Sequence, residues 1–199
     1  MEGCVRTEHI HQMRKELSNA LFGACIAAMS YAALFYFNDW LMAHLTFGLG
    51  VSWIYLPAGL RLFLTLIFGL SGAIGIAVSS FVISYFGDFP QDLTTCIGIG
   101  LISGFAPYLA RFFVISNIQI APDLSNLSMG KLLSCILIYA ALSAGVHQWW
   151  FALRSLDEAG SFNHVLVMFF GDVAGSLLLI VIIKFALDLL RASRRHLVK

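Results

Sequence analysis

NHVLVMFFGDVAGSLLLIVIIKFAL, residues 163–187, carries only two formal charges in 25 positions, Asp172 and Lys184. About 20 consecutive apolar residues cover the roughly 30 Å of hydrocarbon in a bilayer at 1.5 Å per helical residue. The stretch therefore reads as a membrane-spanning helix, and the rest of the chain is read outward from it. Five further apolar runs approach the same length: about 18–37, 41–57, 60–86, 93–115 and 131–152. The run at 41–57 is the weakest. It is short, holds His44, Gly48, Gly50 and Trp53, and ends at Pro57. The run at 60–86 is longer than an upright helix needs, so tilt or an interfacial extension is expected there.

Composition agrees. Of 199 residues, 59% are apolar and 12% charged, against about half and about a quarter in soluble domains. So little polar surface fits a solvent that is itself apolar. The expected fold is all-α: a polytopic transmembrane bundle of about six helices at 18–188, between a polar N-terminal segment at 1–17 and a basic tail at 189–199. The net charge of +1, with no basic patch interleaved with aromatics, gives no footing to nucleic-acid binding. Cys4, Cys25, Cys96 and Cys135 stand singly, without a CxxC pair, so no zinc or redox motif is signalled.

Lysine and arginine placement orients the bundle. Arg6, Arg14 and Lys15 precede the first span, and Arg191, Arg194, Arg195 and Lys199 follow the last. Both termini are therefore expected in the cytoplasm, which requires an even number of crossings. Six crossings put Arg61, Arg111 and Lys131 inside, and Asp39, Asp88, Asp92, Asp157 and Glu158 outside with Arg154. The longest inner connection, 116–130, holds Ile118, Ile120, Leu124 and Leu127 and is expected to lie along the membrane surface.

Small residues recur four apart at Ser71, Gly75 and Ser79, at Gly100 and Gly104, at Ala140 and Ala144, and at Gly171 and Gly175. In lipid such faces let helix backbones approach closely. They serve as packing seams or make room for a ligand.

Asp172 is the sharpest candidate for chemistry. It lies about nine residues into its helix, near mid-bilayer, where a carboxylate costs several kcal/mol unless it faces the bundle interior and is paired or protonated. It is either a ligand-binding or proton-sensitive group or a structural tie between helices. Arg61 and Arg111 are its candidate partners, against the alternative that both snorkel to the headgroups. Lys184 and Asp188, four apart, read as an interfacial pair. The break at Leu56-Pro57-Ala58-Gly59 either lines a cavity or is a plain cytoplasmic turn. Pro57, Gly59, Gly171 and Gly175 thus join Asp172, Arg61 and Arg111 as candidate ligand-binding residues. His44, His147 and His164 fall in the outer half and form a weak alternative metal or haem set. Otherwise no metal site and no cofactor is expected. GxSxG, HExxH and phosphate-cradling glycine loops are missing from the sequence, and no enzyme is expected.

The stretch Val51-Ser52-Trp53-Ile54-Tyr55-Leu56-Pro57-Ala58-Gly59-Leu60 resembles the Trp-Pro-Pro-Ala-Gly signature of the MASE-type membrane-associated sensor domains. Gly171-Asp172-Val173-Ala174-Gly175 resembles their late Gly-Asp-x-x-Gly helix, and Trp149-Trp150 the aromatics before it. Tyr55 and Leu56 stand where that signature has Trp and its first Pro. The resemblance spans roughly 45–190 and implies a small-molecule sensor in a bacterial inner (plasma) membrane. Members usually precede kinase or cyclase modules and have more helices. Without such a module, a signalling role implies a membrane or cytoplasmic partner protein. Length and helix count are also similar to the substrate-binding components of energy-coupling-factor transporters, which implies an outward-open pocket. A third reading is a structural or assembly factor with a dry bundle.

Overall fold

The computed structural model describes residues 2–87, 89–117, 126–156 and 161–197, with side chains given from residue 10 and not for 192 or 194–197. Among these residues the fold is all-α, with six helices: α1 (Glu2–Met42), α2 (Leu56–Phe68), α3 (Leu70–Phe86), α4 (Leu93–Asn117), α5 (Met129–Leu153) and α6 (Phe162–Leu197). Four of them, α1, α4, α5 and α6, are long and apolar enough to cross a membrane, and α2 and α3 are shorter apolar helices of 13 and 17 residues. Large apolar side chains cover the outside: Phe22, Met29, Phe112, Val181 and Phe185 are all more than 60% exposed. In water that surface would be untenable as a monomer; against lipid it is ordinary. The chain is a membrane protein.

Two sequence expectations are corrected in the first half. The run at 41–57 is not a helix. After α1 the chain makes one 3-10 turn (Ala43–Leu45), then a two-stranded hairpin, β1 (Thr46–Gly48) and β2 (Val51–Ser52), paired Thr46 to Ser52 and Gly48 to Val51. Gly50 takes φ +68 at its tip, a conformation costly for any residue with a Cβ. Glycines at 48 and 50 beside Thr46 and Val51 favour turn and strand over helix. The run at 60–86 is not one tilted helix either. It breaks at Gly69, with φ 57, whose N–H donates to Thr65 O at 3.0 Å and closes α2. The chain then folds back so tightly that a Cβ on Gly72 would lie 2.6 Å from Leu64 O. The helix count is as expected, but the second and third helices are the two halves of one apolar run.

Packing gives the directions. Gly23 of α1 meets Phe68 at the end of α2, Tyr31 meets Arg61, and Asn38 meets Leu56 at its start, so α1 and α2 are antiparallel. Gly75 of α3 meets Ala24 and Ala27, and α4 returns with Gly104 on Ala73 and Gly100 on Ala77. On α5, Trp150 reaches Thr95 near the start of α4; α6 brings Gly171 and Gly175 onto Ser52 and Tyr55. Direction alternates through all six helices. The hairpin and the starts of α4 and α6 share one end, while Gly69 and the end of α6 share the other. The four-spaced small residues tested by these contacts are packing seams.

Helices α1 and α6 continue through the polar segments expected at 1–17 and 189–199, so those segments extend helices. Asp188 lies 3.8 Å from Arg191, an exposed pair that replaces the expected one with Lys184. The surface-lying segment expected within 116–130 falls mostly at 118–125, outside the described residues.

Candidate functional site

The site begins with how α2 starts. Pro57 sits in the first helical turn, where a missing N–H is harmless. The Leu56 N–H is capped by another helix: it donates to Asn38 Oδ1 at 3.0 Å, and Asn38 is buried. Tyr55 N–H donates to Gly171 O at 3.1 Å, which pins the residue before α2 to α6. Pro57 is therefore no cytoplasmic turn; it opens a helix at the hairpin end.

One turn into α2 stands Arg61, 5% exposed. The expectation that it snorkels to headgroups is corrected: it points into the bundle. Its Nη2 donates to the hydroxyls of Tyr31 and Tyr55, the latter at 3.0 Å, and those hydroxyls are 3.1 Å apart. Its guanidinium carbon lies 4.9 Å from the Tyr31 ring centroid and 5.2 Å from that of Tyr55. Two electron-rich faces and two hydroxyls stabilise the cation where water does not reach. Even so, Arg61 Nε has no hydrogen-bond partner, and no carboxylate lies within 4.0 Å of the side chain among the described residues.

Asp172 is 1% exposed, one turn before Ser176 on α6. It feels the Arg61 charge without touching it, and Tyr139 and Ser143 of α5 flank it. Asp172 Oδ2, Tyr139 Oη, Ser143 Oγ and Ser176 Oγ are all buried with no hydrogen-bond partner. Such groups are normally satisfied, so four around one spot, beside a lone guanidinium, mark a functional region. The expected coupling of Asp172 with Arg61 is present as an electrostatic relation across a gap, not as a contact pair.

A cavity of about 280 Å3 lies on the other side of Arg61. Arg61, Tyr31, Tyr55, Ser80, Ser103 and His147 line its inner part; Asp39, Gly50, Phe86 and Phe89 line it at the hairpin end. Ser80 Oγ donates to Ser103 Oγ at 2.8 Å, and Ser103 Oγ lies 3.3 Å from His147 Nε2. His147 Nδ1 is 2.9 Å from Ser143 O. A carbonyl can only accept, so Nδ1 carries the proton and Nε2 accepts from Ser103. The chain of hydroxyls has one direction, from α3 through α4 to α5.

Other candidates fall elsewhere. Gly59 packs on the Ser176 backbone, Gly171 on Ser52 and Gly175 on Tyr55; they make the α2–α6 seam, not the cavity wall. Arg111 approaches Gly69 at the far end of the bundle and is not near Asp172's surroundings. His44 is exposed in the 3-10 turn, and His164 bonds Ser161 through Nδ1 at 2.6 Å with its ring against Phe47. The three-histidine alternative is not assembled: no group of three metal-binding side chains occurs among the described residues. Sequence reasoning missed Tyr31, Tyr55, Asn38 and Tyr139. The available signal was the phenols themselves, placed in mid-span rather than at the interface where tyrosine usually sits.

At the hairpin end a second polar cluster closes the bundle. Asp92 Oδ2 caps α4, accepting from Thr95 N at 2.8 Å and Thr95 Oγ1 at 2.6 Å, and Arg154 Nη2 reaches the same oxygen at 2.6 Å. The Thr95 hydrogen bonds, then Arg154, hold the Asp92 carboxyl down at about 2. No protein-family model, curated protein or solved structure matches this chain.

Proposed function

We propose that this chain is a six-crossing protein of a bacterial inner membrane, with both termini cytoplasmic, that binds a small molecule between its helices and acts through a partner protein. The observation that carries the reading is Arg61: a buried, incompletely satisfied cation at the inner wall of a cavity that reaches the hairpin end. Retaining a cation at membrane depth is costly unless it serves a site. Positive charge supports the orientation. Arg111, Lys131 and Arg191 belong to the Gly69 end, while the hairpin end carries Asp39 and Asp92 with Arg154. The likeness of 51–60 and 171–175 to MASE-type sensor domains fits the same picture, since these two stretches pack against each other beside Arg61.

The cavity's opening at the hairpin end favours a second reading, a substrate-binding component of a transporter loaded from outside. A dry structural factor is disfavoured by the cavity and by the unpartnered polar groups around Asp172.

Cysteine accessibility tests the proposal in a cysteine-free background. Gln91→Cys, exposed at the hairpin end, should react with a membrane-impermeant maleimide in intact cells. Gly130→Cys, with nothing within 4 Å of its Cβ, should react only after permeabilisation. Ser84→Cys, buried in the bundle but lining the cavity, should react with small water-soluble thiosulfonates added outside. An unreactive Ser84→Cys in folded protein would defeat the binding-cavity reading.

A further inference from the structure

The chemistry of the cavity specifies what it takes. We infer that the cavity binds a small organic monoanion, a carboxylate, with the carboxylate on Arg61 and an apolar body toward the aromatic mouth. The inference rests on the binding-cavity reading and adds the ligand class to it.

Three observations converge. First, Arg61 supplies one positive charge, already oriented by Tyr31 and Tyr55, with no carboxylate within 4.0 Å among the described residues. A planar guanidinium held on one edge suits a planar carboxylate on its free edge. Second, hydroxyls gather beside it: Tyr55, Ser80, Ser84 and Ser103 all line the inner part and can donate to an anion. Third, the other end is aromatic, with Phe35, Phe86, Phe89 and Phe151. An amphipathic acid fits that gradient, polar end first.

The charge balance excludes polyanions. The neutral tautomer of His147, fixed by Ser143 O and Ser103, adds no second cation. Asp39, exposed at the mouth, sets a negative charge where the far end of a dianion would lie. Size excludes long acyl chains, since 280 Å3 is at the small end of ligand pockets, which run from about 300 to 1,000 Å3. An inorganic anion would leave the aromatic mouth unused.

The test uses the purified full-length chain in detergent, with thermal unfolding read against added acetate, benzoate, phenylacetate, succinate, inorganic phosphate and the neutral analogue benzamide. A ligand that binds only the folded state raises the midpoint with concentration. Benzoate or phenylacetate should raise it saturably, with at least tenfold lower half-saturation than acetate, phosphate, succinate or benzamide. Arg61→Gln should abolish the shift. Arg61→Lys, which retains the charge without the fork, should weaken it about tenfold, which keeps the test valid if Arg61→Gln misfolds. Asp39→Asn, at an exposed position, should narrow the preference for benzoate over succinate. Benzamide acting as well as benzoate overturns the anion inference while leaving the cavity reading intact. Saturable shifts by phosphate or succinate alone overturn it likewise. No shift with any carboxylate up to 20-fold above ordinary millimolar levels overturns it too, and reactivity of Ser84→Cys then tells whether the cavity reading survives.

Discussion

Gly175→Ala tests whether α6 is set by backbone contact with the start of α2. A Cβ at position 175 would lie 2.0 Å from Tyr55 O, 2.2 Å from Tyr55 C and 2.8 Å from Leu56 N. Carbon and oxygen do not approach closer than about 3.3 Å without strain. The two segments must therefore part by about 1.3 Å. All three obstacles are backbone, so no side-chain rotation relieves them. Moreover, Tyr55 N donates to Gly171 O one turn away, and parting the segments breaks that bond.

Overpacking at a rigid contact costs up to about 3 kcal/mol. The lost buried hydrogen bond costs about 1 kcal/mol more. Replacing glycine by alanine inside a helix returns about 1 kcal/mol. The expected net loss is about 3 kcal/mol, roughly a hundredfold in the folding equilibrium. Gly145→Ala is the control. It lies inside α5, exposed, with nothing within 4 Å of the added Cβ, so only the helix gain of at most about 1 kcal/mol applies. The assay is reversible unfolding in mixed micelles by increasing sodium dodecyl sulfate, read by tryptophan fluorescence. If the two variants unfold within about 0.5 kcal/mol of each other, the seam does not hold the bundle and the reasoning is wrong.

Other perturbations follow the same contacts. Asn38→Ala removes the acceptor for the Leu56 N–H and should cost about 1–2 kcal/mol in the same assay, whereas a cost below 0.5 kcal/mol would show that α2 is capped otherwise. Arg61→Gln leaves the Asp172 carboxylate without its nearest cation and should cost about 3 kcal/mol, of which Asp172→Asn in the same chain should recover at least 1 kcal/mol; strict additivity of the two would refute their coupling across the gap. Asp92, held at about 2 against an ordinary 3.8, stabilises the fold fully above about pH 4 and loses that contribution as pH falls toward 2. Wild type and Asp92→Ala should therefore differ in midpoint at pH 6 and converge on acidification, and a difference that stays constant down to pH 2 would contradict the Thr95 and Arg154 contacts.

Much of the fold was legible because hydrocarbon thickness and backbone satisfaction leave few options. Runs at 93–115, 131–152 and 163–187 could only be helices, and α4, α5 and α6 are. The failure at 41–68 has a physical cause. Hydropathy measures how apolar a stretch is, and Val51, Trp53, Ile54 and Leu56 are as apolar in a hairpin and its connection as in a helix. The sites of the breaks were written in Gly50 and Gly69, which take positive φ, but a glycine in a membrane sequence serves close packing as readily as a turn. Asp172 was legible since a carboxylate in that setting has few explanations. Arg61 was misplaced because its depth depended on where α2 begins. Tyr31 was invisible for a different reason. A single phenol in an apolar helix reads as one more aromatic until Arg61, 30 residues away, is known to face it.

The seam and the cavity are best understood as one device. Glycines 171 and 175 bring α6 onto the backbone of 52–55, and the residue so fixed is Tyr55, whose hydroxyl meets Arg61. On the opposite side Tyr31 is held by α1, whose next two turns deliver Asn38 to the start of α2. The guanidinium is therefore oriented by two tyrosines that are themselves anchored through backbone contacts, with little side-chain freedom to spend. A loosely packed bundle would let Arg61 swing toward Asp172 and close the gap between them, since bare attraction favours contact in a low-dielectric interior. Rigid placement keeps the cation facing the cavity and leaves the carboxylate behind it unpartnered. An anion arriving in the cavity would then compete with Asp172 for the same charge, and that competition gives α6 a means to register what α2 holds. The helix that carries Asp172 runs on to Leu197 at the Gly69 end. A shift at its middle is thus connected, through one continuous helix, to the end of the bundle where a partner would be met.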